Sequence, residues 1–348
     1  MATLYLTEQG AVLRKSSEHF IIEKSKVKLQ ELPCADVEHV MIYGNIQVTT
    51  PALWELAEHG IEIAFFTQSG KLLLQLTPQW PKNLPLRQAQ WQRYFEPEFV
   101  LRISRALVIG KLDNALAVIR DFRRHHPELA CATELAAIEA AQTKAASAVS
   151  RESLLGLEGS ATAAYFKVLG GMFMPPWTFT TRSRRPPKDP VNAVLSFGYV
   201  IVGNELQSLL DGIGFDPYAG FYHVAEYGRP SLALDLLEEF RHSLVDRLAL
   251  HLFNQNVFTT ADFQPTGTGG VHLSRDGQKK FFQGYERYLG SFRDQPAPAS
   301  VGYFRQHFKM QAQKLAKALQ ENSDYQPFSL DKIASTGAVS PPAVDPPW

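Results

Sequence analysis

The sequence has few cysteines and no net charge. Its 348 residues include two cysteines, Cys34 and Cys131, which lie far apart and form no C-x-x-C pair. We therefore expect neither a disulfide framework nor a cysteine-bound zinc site, and both thiols should be reduced. The formal net charge is zero, so the chain is not basic throughout, although nucleic-acid binding requires only a local basic surface.

The sequence also lacks the apolar segments that direct proteins into or across membranes. Its opening, MATLYLTEQGAVLRKS, has no charged stretch followed by the hydrophobic core of a signal peptide. The longest nearly apolar run, AVLSFGYVIVG (193–203), is about half as long as a bilayer crossing requires. These features predict a cytoplasmic protein.

Two regions of different periodicity predict an α+β protein with two domains. In residues 1–80, short stretches with period two indicate a small antiparallel β-domain, which contains one helix in TPALWELAEHG. Residues 81–97, with several prolines and aromatics, are interpreted as a linker. Residues 98–325 show apolar residues at three- and four-residue spacing and are predicted to form a larger all-α domain. The tail, 326–348, is rich in proline and alanine and is predicted to be disordered.

Charged residues are distributed unevenly along the helical region. Residues 82–124 contain nine Lys or Arg against four acidic residues, and the loop TRSRRPPK (181–188) is compactly basic. By contrast, residues 205–246 contain eight acidic residues. A basic loop is by itself usually only solvated. Beside an acidic metal site, however, it becomes a candidate for binding the DNA backbone.

The segment GFYHVAEYGRPSLALDLLEEFR (220–241) combines a histidine, a glycine turn and several carboxylates. We predict a helix that starts at Ser231 as its N-cap and carries Asp235 and Glu238 on a different face from its leucines. Acids near a helix N-terminus can simply complement the helix dipole, and a lone histidine is more often structural than a ligand. Together with His223, the acids are a more specific signal, and such a set suits Mn²⁺ or Mg²⁺ better than structural zinc.

A third carboxylate lies in the predicted helix RESLLGLEGSATAAYFKVLG (151–170). Glu158 sits there among apolar residues, where a free carboxylate is costly unless it has a partner. Gly156 and Gly159 flank it with small residues that would let a second helix or a DNA backbone approach closely. The alternative interpretation is an exposed glutamate beside a packing glycine.

Four blocks of the sequence carry a family resemblance: LGLEGSATAAYF, DPVNAVLSFGYVIVGNEL, GFYHVAEYGRPSLALDLLEEFRHSLVDR and GVHLSRDGQKKFFQGYERYL. In this order they resemble Cas1, the CRISPR-associated endonuclease and integrase that captures new spacers. The resemblance extends from the β-domain to about residue 325. It implies a homodimer in which each subunit has a small β-domain and a helical, metal-binding catalytic domain. It also implies that the dimer joins the smaller Cas2 protein in a complex that spans a DNA duplex.

The resemblance also implies the metal ligands. In the family, a glutamate of the first block, the histidine of the third and an acid on the following helix hold the metal, and they correspond to Glu158, His223 and Glu238. Asp235 matches a neighbouring acid and is either an additional ligand or a group that supports the ligands. Helical phase favours Glu238 over Glu239, which is rotated from it by about a hundred degrees. The implied cofactor is Mg²⁺ or Mn²⁺.

The implied reaction is metal-dependent transesterification, in which the 3′-hydroxyls of a short DNA fragment attack the repeat ends of a CRISPR array and insert a new spacer. The same site would cleave DNA, including branched DNA. The expected partner is double-stranded DNA, as spacer precursor and as repeat, and the candidate contact residues are Tyr165, Arg182, Arg184, Arg185, Lys188 and Arg241. Two alternatives stay open: a non-catalytic DNA-binding scaffold, and a metal phosphodiesterase that acts on RNA or nucleotides.

Overall fold

The computed structural model describes residues 2–68, 70, 72–76, 83–267, 269–289 and 304–331. The chain divides into two units, Met1–Lys82 and Asn83–Trp348. The segment predicted as a linker is not an irregular connection, because helix α2, which is defined below, occupies Leu84–Tyr94. Pro85 lies in the first turn of this helix, where the missing N–H of proline costs no hydrogen bond. Pro85 and Pro97, two of the prolines that suggested a linker, are therefore compatible with helix starts.

The first unit contains two four-stranded sheets and one α-helix among its described residues. Its elements are β1 (Ala2–Leu6), β2 (Val12–Ser16), β3 (His19–Lys24), β4 (Val27–Pro33), β5 (Val37–Tyr43), β6 (Gln47–Val48), α1 (Thr50–Glu58), β7 (Glu62–Phe66) and β8 (Leu72–Leu76). The strand orders are β1-β5-β7-β8 and β4-β3-β2-β6. One apolar cluster, which includes Phe20, Ile42 and Leu56, draws on both sheets and on α1.

The predicted β-domain is present, but its sheets are mixed rather than wholly antiparallel: the pairs β2–β3, β3–β4 and β7–β8 are antiparallel. Strand β5 pairs in parallel with both β1 and β7, and β2 pairs in parallel with β6. Helix α1 supplies the crossover that a parallel β5–β7 pair needs. Alternation of apolar and polar residues identified the strands, but it does not encode their direction.

The second unit is helical, as predicted, apart from one short hairpin among its described residues. Its helices are α2 (Leu84–Tyr94), α3 (Pro97–His125), α4 (Ala132–Ala146), α5 (Arg151–Gly170), α6 (Pro190–Ile213), α7 (Ser231–Phe240), α8 (Arg247–Asn254), α9 (Arg275–Leu289) and α10 (Phe304–Glu321). The hairpin consists of β9 (Phe263–Pro265) and β10 (Val271–Leu273). A π-helical turn, Arg241–Asp246, joins α7 to α8 without a break.

Helix α6 is a core helix of the second unit. By length and composition it could cross a membrane, but 67% of its most apolar window is buried inside the structure. Gly198 lies so close to the π-helical turn that a Cβ atom there would come within 2.6 Å of Val245 Cγ1. The apolar character of α6 is thus explained by packing against neighbouring helices.

The first residues of the predicted tail pack against the second unit. Phe328 is 4% exposed, and its ring centroid lies 5.0 Å from those of Phe240 and His307 and 5.8 Å from that of Phe304. The prediction of disorder is therefore wrong for residues 326–331. It rested on the high proline and alanine content of the whole tail, in which one aromatic residue, Phe328, changes the composition very little. The rest of the predicted tail, 332–348, lies outside the described residues.

We expect Phe328→Ala to lower the free energy of unfolding by about 3 kcal/mol or more, because it leaves a cavity among buried rings. The matched control is Phe95→Ala, whose ring is 73% exposed and whose loss should cost no more than about 0.5 kcal/mol. Urea unfolding followed by circular dichroism measures both changes. Equal losses in the two variants would contradict the packing of residues 326–331.

Candidate metal centre

A cleft of about 770 Å³ brings the three predicted ligands together in the second unit. Its walls come from α3, α5, α6, α7, the loops before α6 and α7, and the π-helical turn. The polar and charged residues that line it are Lys111, Glu158, Thr162, Arg184, Arg185, Tyr199, Tyr222, His223, Glu226, Arg229, Glu238, Arg241 and His242.

Lys111 lies between two of the predicted ligands. It is 4% exposed on α3, pairs with Glu158 Oε1, and places its Nζ atom 2.6 Å from Glu238 Oε2. Glu238 Oε2 is buried, and the Lys111 ammonium is the cation beside it. Sequence reasoning missed this residue, although a single lysine within the apolar run ALVIGKLDNALAV was a usable signal.

Arg241 holds the other oxygen of Glu238. Its Nε atom donates to Glu238 Oε1 at 2.8 Å, and its guanidinium lies 4.7 Å from the centre of the Tyr199 ring. Burial alone would raise the pKa of the Glu238 carboxyl, but the charges of Arg241 and Lys111 outweigh it and hold that pKa well below its usual range. Glu238 is therefore a carboxylate at neutral pH. Arg241 does line the cleft, but as the partner of Glu238.

Asp235 fixes the loop that presents His223. It is 1% exposed. Its two oxygens accept the backbone N–H groups of Phe221, Tyr222 and His223 at 2.5–2.9 Å, and Oδ1 also lies 2.8 Å from His223 Nδ1. Because both Asp235 oxygens act as acceptors, the Nδ1 proton of His223 points at Asp235, which leaves the Nε2 lone pair for the cleft. His223 Nε2 lies 3.8 Å from Glu238 Oε1.

The start of α7 differs in one detail from the prediction. Ser231 is the first helical residue rather than the N-cap, which is Pro230. Its hydroxyl instead donates to the carbonyl oxygen of Val224 at 2.9 Å. A Cβ atom at Gly220 would lie 2.7 Å from Ser231, so a glycine is needed where the loop that carries His223 passes the helix.

Glu239 points away from the cleft, as helical phase predicted, and anchors the C-terminal residues. It is fully buried and accepts hydrogen bonds from the Tyr325 hydroxyl at 2.5 Å, from Gln311 Nε2 at 2.8 Å and from the Phe328 N–H at 2.7 Å. Burial raises the pKa of its carboxyl to about 7, although the donors from Phe328, Tyr325 and Gln311 oppose the rise.

Two of the arginines in the basic loop line the cleft, and the third is hydrogen-bonded within the protein. Arg184 and Arg185 are exposed and line the cleft. Lys188 is exposed but is not part of the lining. Arg182, which is also a predicted DNA contact, donates to Asn192 Oδ1 at 2.8 Å and to Ser196 Oγ at 2.9 Å. It is committed to holding the loop on α6.

Tyr165 is also an internal residue. It is fully buried, and its ring centroid lies 3.9 Å from that of His242. His242 is in turn bound through Nδ1 to Asp246 at 2.7 Å, and Asp246 accepts from the Tyr199 hydroxyl at 2.5 Å. The expected contact of Tyr165 with DNA is therefore wrong, since burial between helices leaves no surface for it.

The donor set fits a hard divalent cation, but the side chains are not arranged to hold one as they stand. Among the described residues, no three His, Cys, Asp or Glu side chains are close enough together to bind a metal ion. The ammonium of Lys111 takes the place between Glu158 and Glu238. Two carboxylates and one imidazole are suitable ligands for Mg²⁺ or Mn²⁺, and the buried oxygen Glu238 Oε2 already faces a cation in Lys111.

We expect Glu239 to make the stability of the protein depend on pH. Between its ordinary pKa of 4.5 and the raised value of about 7, the folded protein keeps a proton that the unfolded chain has lost. The contribution of Glu239 to stability therefore falls as pH rises through this window, by an amount on the order of 3 kcal/mol. The measurement is the free energy of unfolding at pH 5 and pH 8, in EDTA, for the wild type and Glu239→Gln.

Glu239→Gln removes the titration, so the stability of the wild type relative to this variant should decline between the two pH values. The control is Glu139→Gln on α4, whose side chain is 52% exposed and whose curve should run parallel to that of the wild type. A Glu239→Gln curve that also ran parallel would contradict the raised pKa.

Comparison with known proteins identifies relatives over most of the chain. The family described as CRISPR associated protein Cas1 matches residues 4–287. A CRISPR-associated endonuclease Cas1 of Chlorobaculum tepidum is 33% identical over 337 residues, which cover 94% of this chain and 97% of that protein. A Cas4/Cas1 fusion of Geobacter sulfurreducens is 33% identical over 324 residues, or 91% of this chain, which spans only 58% of the fusion.

Several solved structures have a fold similar to that of this chain. A Cas1 protein from Thermotoga maritima is similar with a TM-score of 0.76 and 25% identity, over 92% of this chain and 97% of that one. A chain of a Cas6-RT-Cas1–Cas2 complex is similar with a TM-score of 0.78 and 27% identity, over 94% of this chain and 36% of that one. These likenesses confirm a β-sheet domain followed by a mostly helical region.

Proposed function

The chain belongs to the Cas1 family of CRISPR-associated proteins, and we propose from this that it is the endonuclease and integrase of CRISPR adaptation. The 3′-hydroxyls of a short DNA fragment attack the phosphodiesters at the repeat ends of a CRISPR array, which inserts a new spacer. The same site cleaves DNA, including branched DNA. The observation that carries the proposal is that Glu158, His223 and Glu238, which come from three separate segments, line one cleft with basic residues at its wall.

In this proposal, Glu158, His223 and Glu238 hold one Mg²⁺ or Mn²⁺ ion. Asp235 is not a ligand, because its oxygens already bind three backbone N–H groups and the His223 imidazole. It acts through His223 by fixing the tautomer and the orientation of the ring. A bound metal would neutralise charge on the phosphate and activate the attacking or leaving oxygen.

The protein's own residues position the two DNA molecules. Arg184 and Arg185 line the cleft and are exposed, so they are suited to phosphate contacts that carry no base preference. Gly156 and Gly159 lie on the exposed side of α5, where added Cβ atoms would meet nothing within 4 Å. Among the described residues nothing meets these two positions, so this side of α5 is open to a DNA backbone, although Glu158 is rotated from both glycines by about 100° or more.

The partners follow from the same function. Double-stranded DNA serves as the spacer precursor and as the repeat, and the active form is a homodimer that binds Cas2 in the cytoplasm. The likeness to a chain of a Cas6-RT-Cas1–Cas2 complex supports the Cas2 partner.

We expect the double variant Arg184→Gln/Arg185→Gln to bind duplex DNA more weakly, with equal losses for different sequences. Because each phosphate contact contributes about 0.9 to the slope of log K against log salt, losing two should reduce that slope by about 2. Fluorescence anisotropy over a salt series measures the affinity and the slope. The control is Arg123→Gln/Arg124→Gln, which removes two arginines outside the cleft lining. If Arg184→Gln/Arg185→Gln had the same salt slope as the wild type, the basic loop would not be part of the DNA interface.

We expect the protein to join a short duplex with free 3′-hydroxyls to a supercoiled plasmid that carries a repeat, in Mn²⁺ or Mg²⁺ with Cas2 present. Glu158→Gln, His223→Ala and Glu238→Gln should each reduce joining at least about a hundredfold, because each removes a metal ligand. The matched control is Glu139→Gln, which changes an exposed glutamate on α4 and should join normally. Gel analysis of relaxed and branched products gives the rates.

The same assay separates the alternatives. Normal function of Glu158→Gln would favour a non-catalytic DNA-binding scaffold. Metal-dependent turnover of RNA or nucleotides, without any joined product from the wild type, would favour a phosphodiesterase and overturn the proposed integration.

A further inference from the structure

We propose that Lys111 is a resident counter-ion of the metal centre: it leaves the two carboxylates when the metal binds and then pairs with the DNA phosphate. Metal and DNA therefore strengthen each other's binding. This inference rests on the proposed function of the cleft and adds a role for a residue outside the ligand set. It makes Lys111 a positioning residue that links the two binding events.

The Lys111 ammonium and a metal ion would compete for the carboxylate of Glu238. Arg241 already donates to Oε1 of the same carboxylate at 2.8 Å, and Oε2 is the oxygen that Arg241 does not bind. The Lys111 ammonium lies 2.6 Å from that oxygen and also pairs with Glu158 Oε1. A metal ion bridging Glu158 and Glu238 and the ammonium of Lys111 would thus occupy the same space.

Charge gives the second reason for displacement. Without a metal, the positive charges of Lys111 and Arg241 balance the negative charges of Glu158 and Glu238. A divalent ion placed beside an unmoved Lys111 would add two positive charges to this balanced set. The carboxylate of Asp235 next to His223 offsets only one of them, in a cleft where Lys111 and Glu238 are about 5% exposed. Such an excess is costly where solvent screening is poor.

Lys111 can leave the carboxylates without refolding the helix. Its ammonium sits on a flexible four-carbon stem with three donors, and it shares the cleft with Arg184 and Arg185. The other buried acids of α7 are not available to it, because Asp235 holds the His223 loop and Glu239 holds the C-terminal residues. A phosphate in the cleft is the anion that can take their place.

The consequence is a reciprocal coupling. DNA that offers a phosphate to the displaced ammonium lowers the cost of metal binding, and the metal frees the ammonium for the phosphate. Linkage requires the two effects to be equal in size. The protein alone should therefore bind metal weakly, and DNA should tighten that binding.

The test is Mn²⁺ binding by the full-length protein, measured by electron paramagnetic resonance, with and without a short duplex. We expect Lys111→Gln to bind Mn²⁺ about tenfold more tightly than the wild type in the absence of DNA, as loss of one competing ion pair predicts. The duplex should tighten Mn²⁺ binding to both proteins, because the metal also attracts the phosphate directly, but the tightening should be about tenfold larger for the wild type than for Lys111→Gln. Lys111→Arg keeps the charge and should bind weakly without DNA. Lys144→Gln, which changes an exposed lysine of α4 outside the cleft lining, should match the wild type.

Lys111→Met, which keeps the length of the stem, is the second uncharged variant, and the rise in melting temperature that Mn²⁺ causes is a second measure of affinity. Both uncharged variants should show a larger rise than the wild type. Mn²⁺ binding that is weaker than, or equal to, that of the wild type in both variants would overturn the role of Lys111, while leaving the metal centre intact. Failure of the wild type to bind Mn²⁺ even with DNA, or Mn²⁺ binding that Glu158→Gln leaves unchanged, would instead overturn the metal centre and this inference with it.

Discussion

Helix α7 buries three carboxylates within five residues, and much of the second unit is arranged to compensate them. Asp235, Glu238 and Glu239 are each no more than 5% exposed. A buried charge without partners is too costly to persist, so each carboxylate recruits a different set of groups. Asp235 receives backbone N–H groups from the preceding loop, Glu238 receives the charges of two cations, and Glu239 receives neutral donors from the C-terminal residues.

The three sets of partners give the three carboxylates different chemical properties. Neutral donors and burial leave Glu239 with a raised pKa, which suits an anchor. The cations beside Glu238 keep it ionised, which suits a group that exchanges one cation for another. Asp235 orients an imidazole so that its second nitrogen faces Glu238. The π-helical turn follows directly and carries Arg241 and His242 on the cleft wall, and such turns are frequent at functional sites.

Much of this arrangement was predictable from the sequence, because helical periodicity and phase are local properties. The period of apolar residues gave α3 and α5, and the rotation between Glu238 and Glu239 separated the cleft from the anchor. The family resemblance supplied the order of the ligands. Glu158, which needed a partner in its apolar surroundings, finds one in Lys111.

The remaining features depend on contacts between distant segments, which local patterns do not encode. Arg182 and Arg184 are two residues apart in one basic loop, yet one is bound to α6 and the other lines the cleft. Tyr165 was a candidate DNA contact by its helical face, but that face packs on His242. Strand direction in the β-domain likewise required knowledge of the crossover through α1.

The most direct test of the metal centre is the anomalous scattering of crystals of this protein grown with Mn²⁺ and a short duplex. The account predicts one peak within about 2.3 Å of a Glu158 oxygen, His223 Nε2 and Glu238 Oε2, with the Lys111 ammonium withdrawn towards a phosphate. A cleft that contained DNA but no anomalous peak, or a peak bound by residues other than these three, would contradict it.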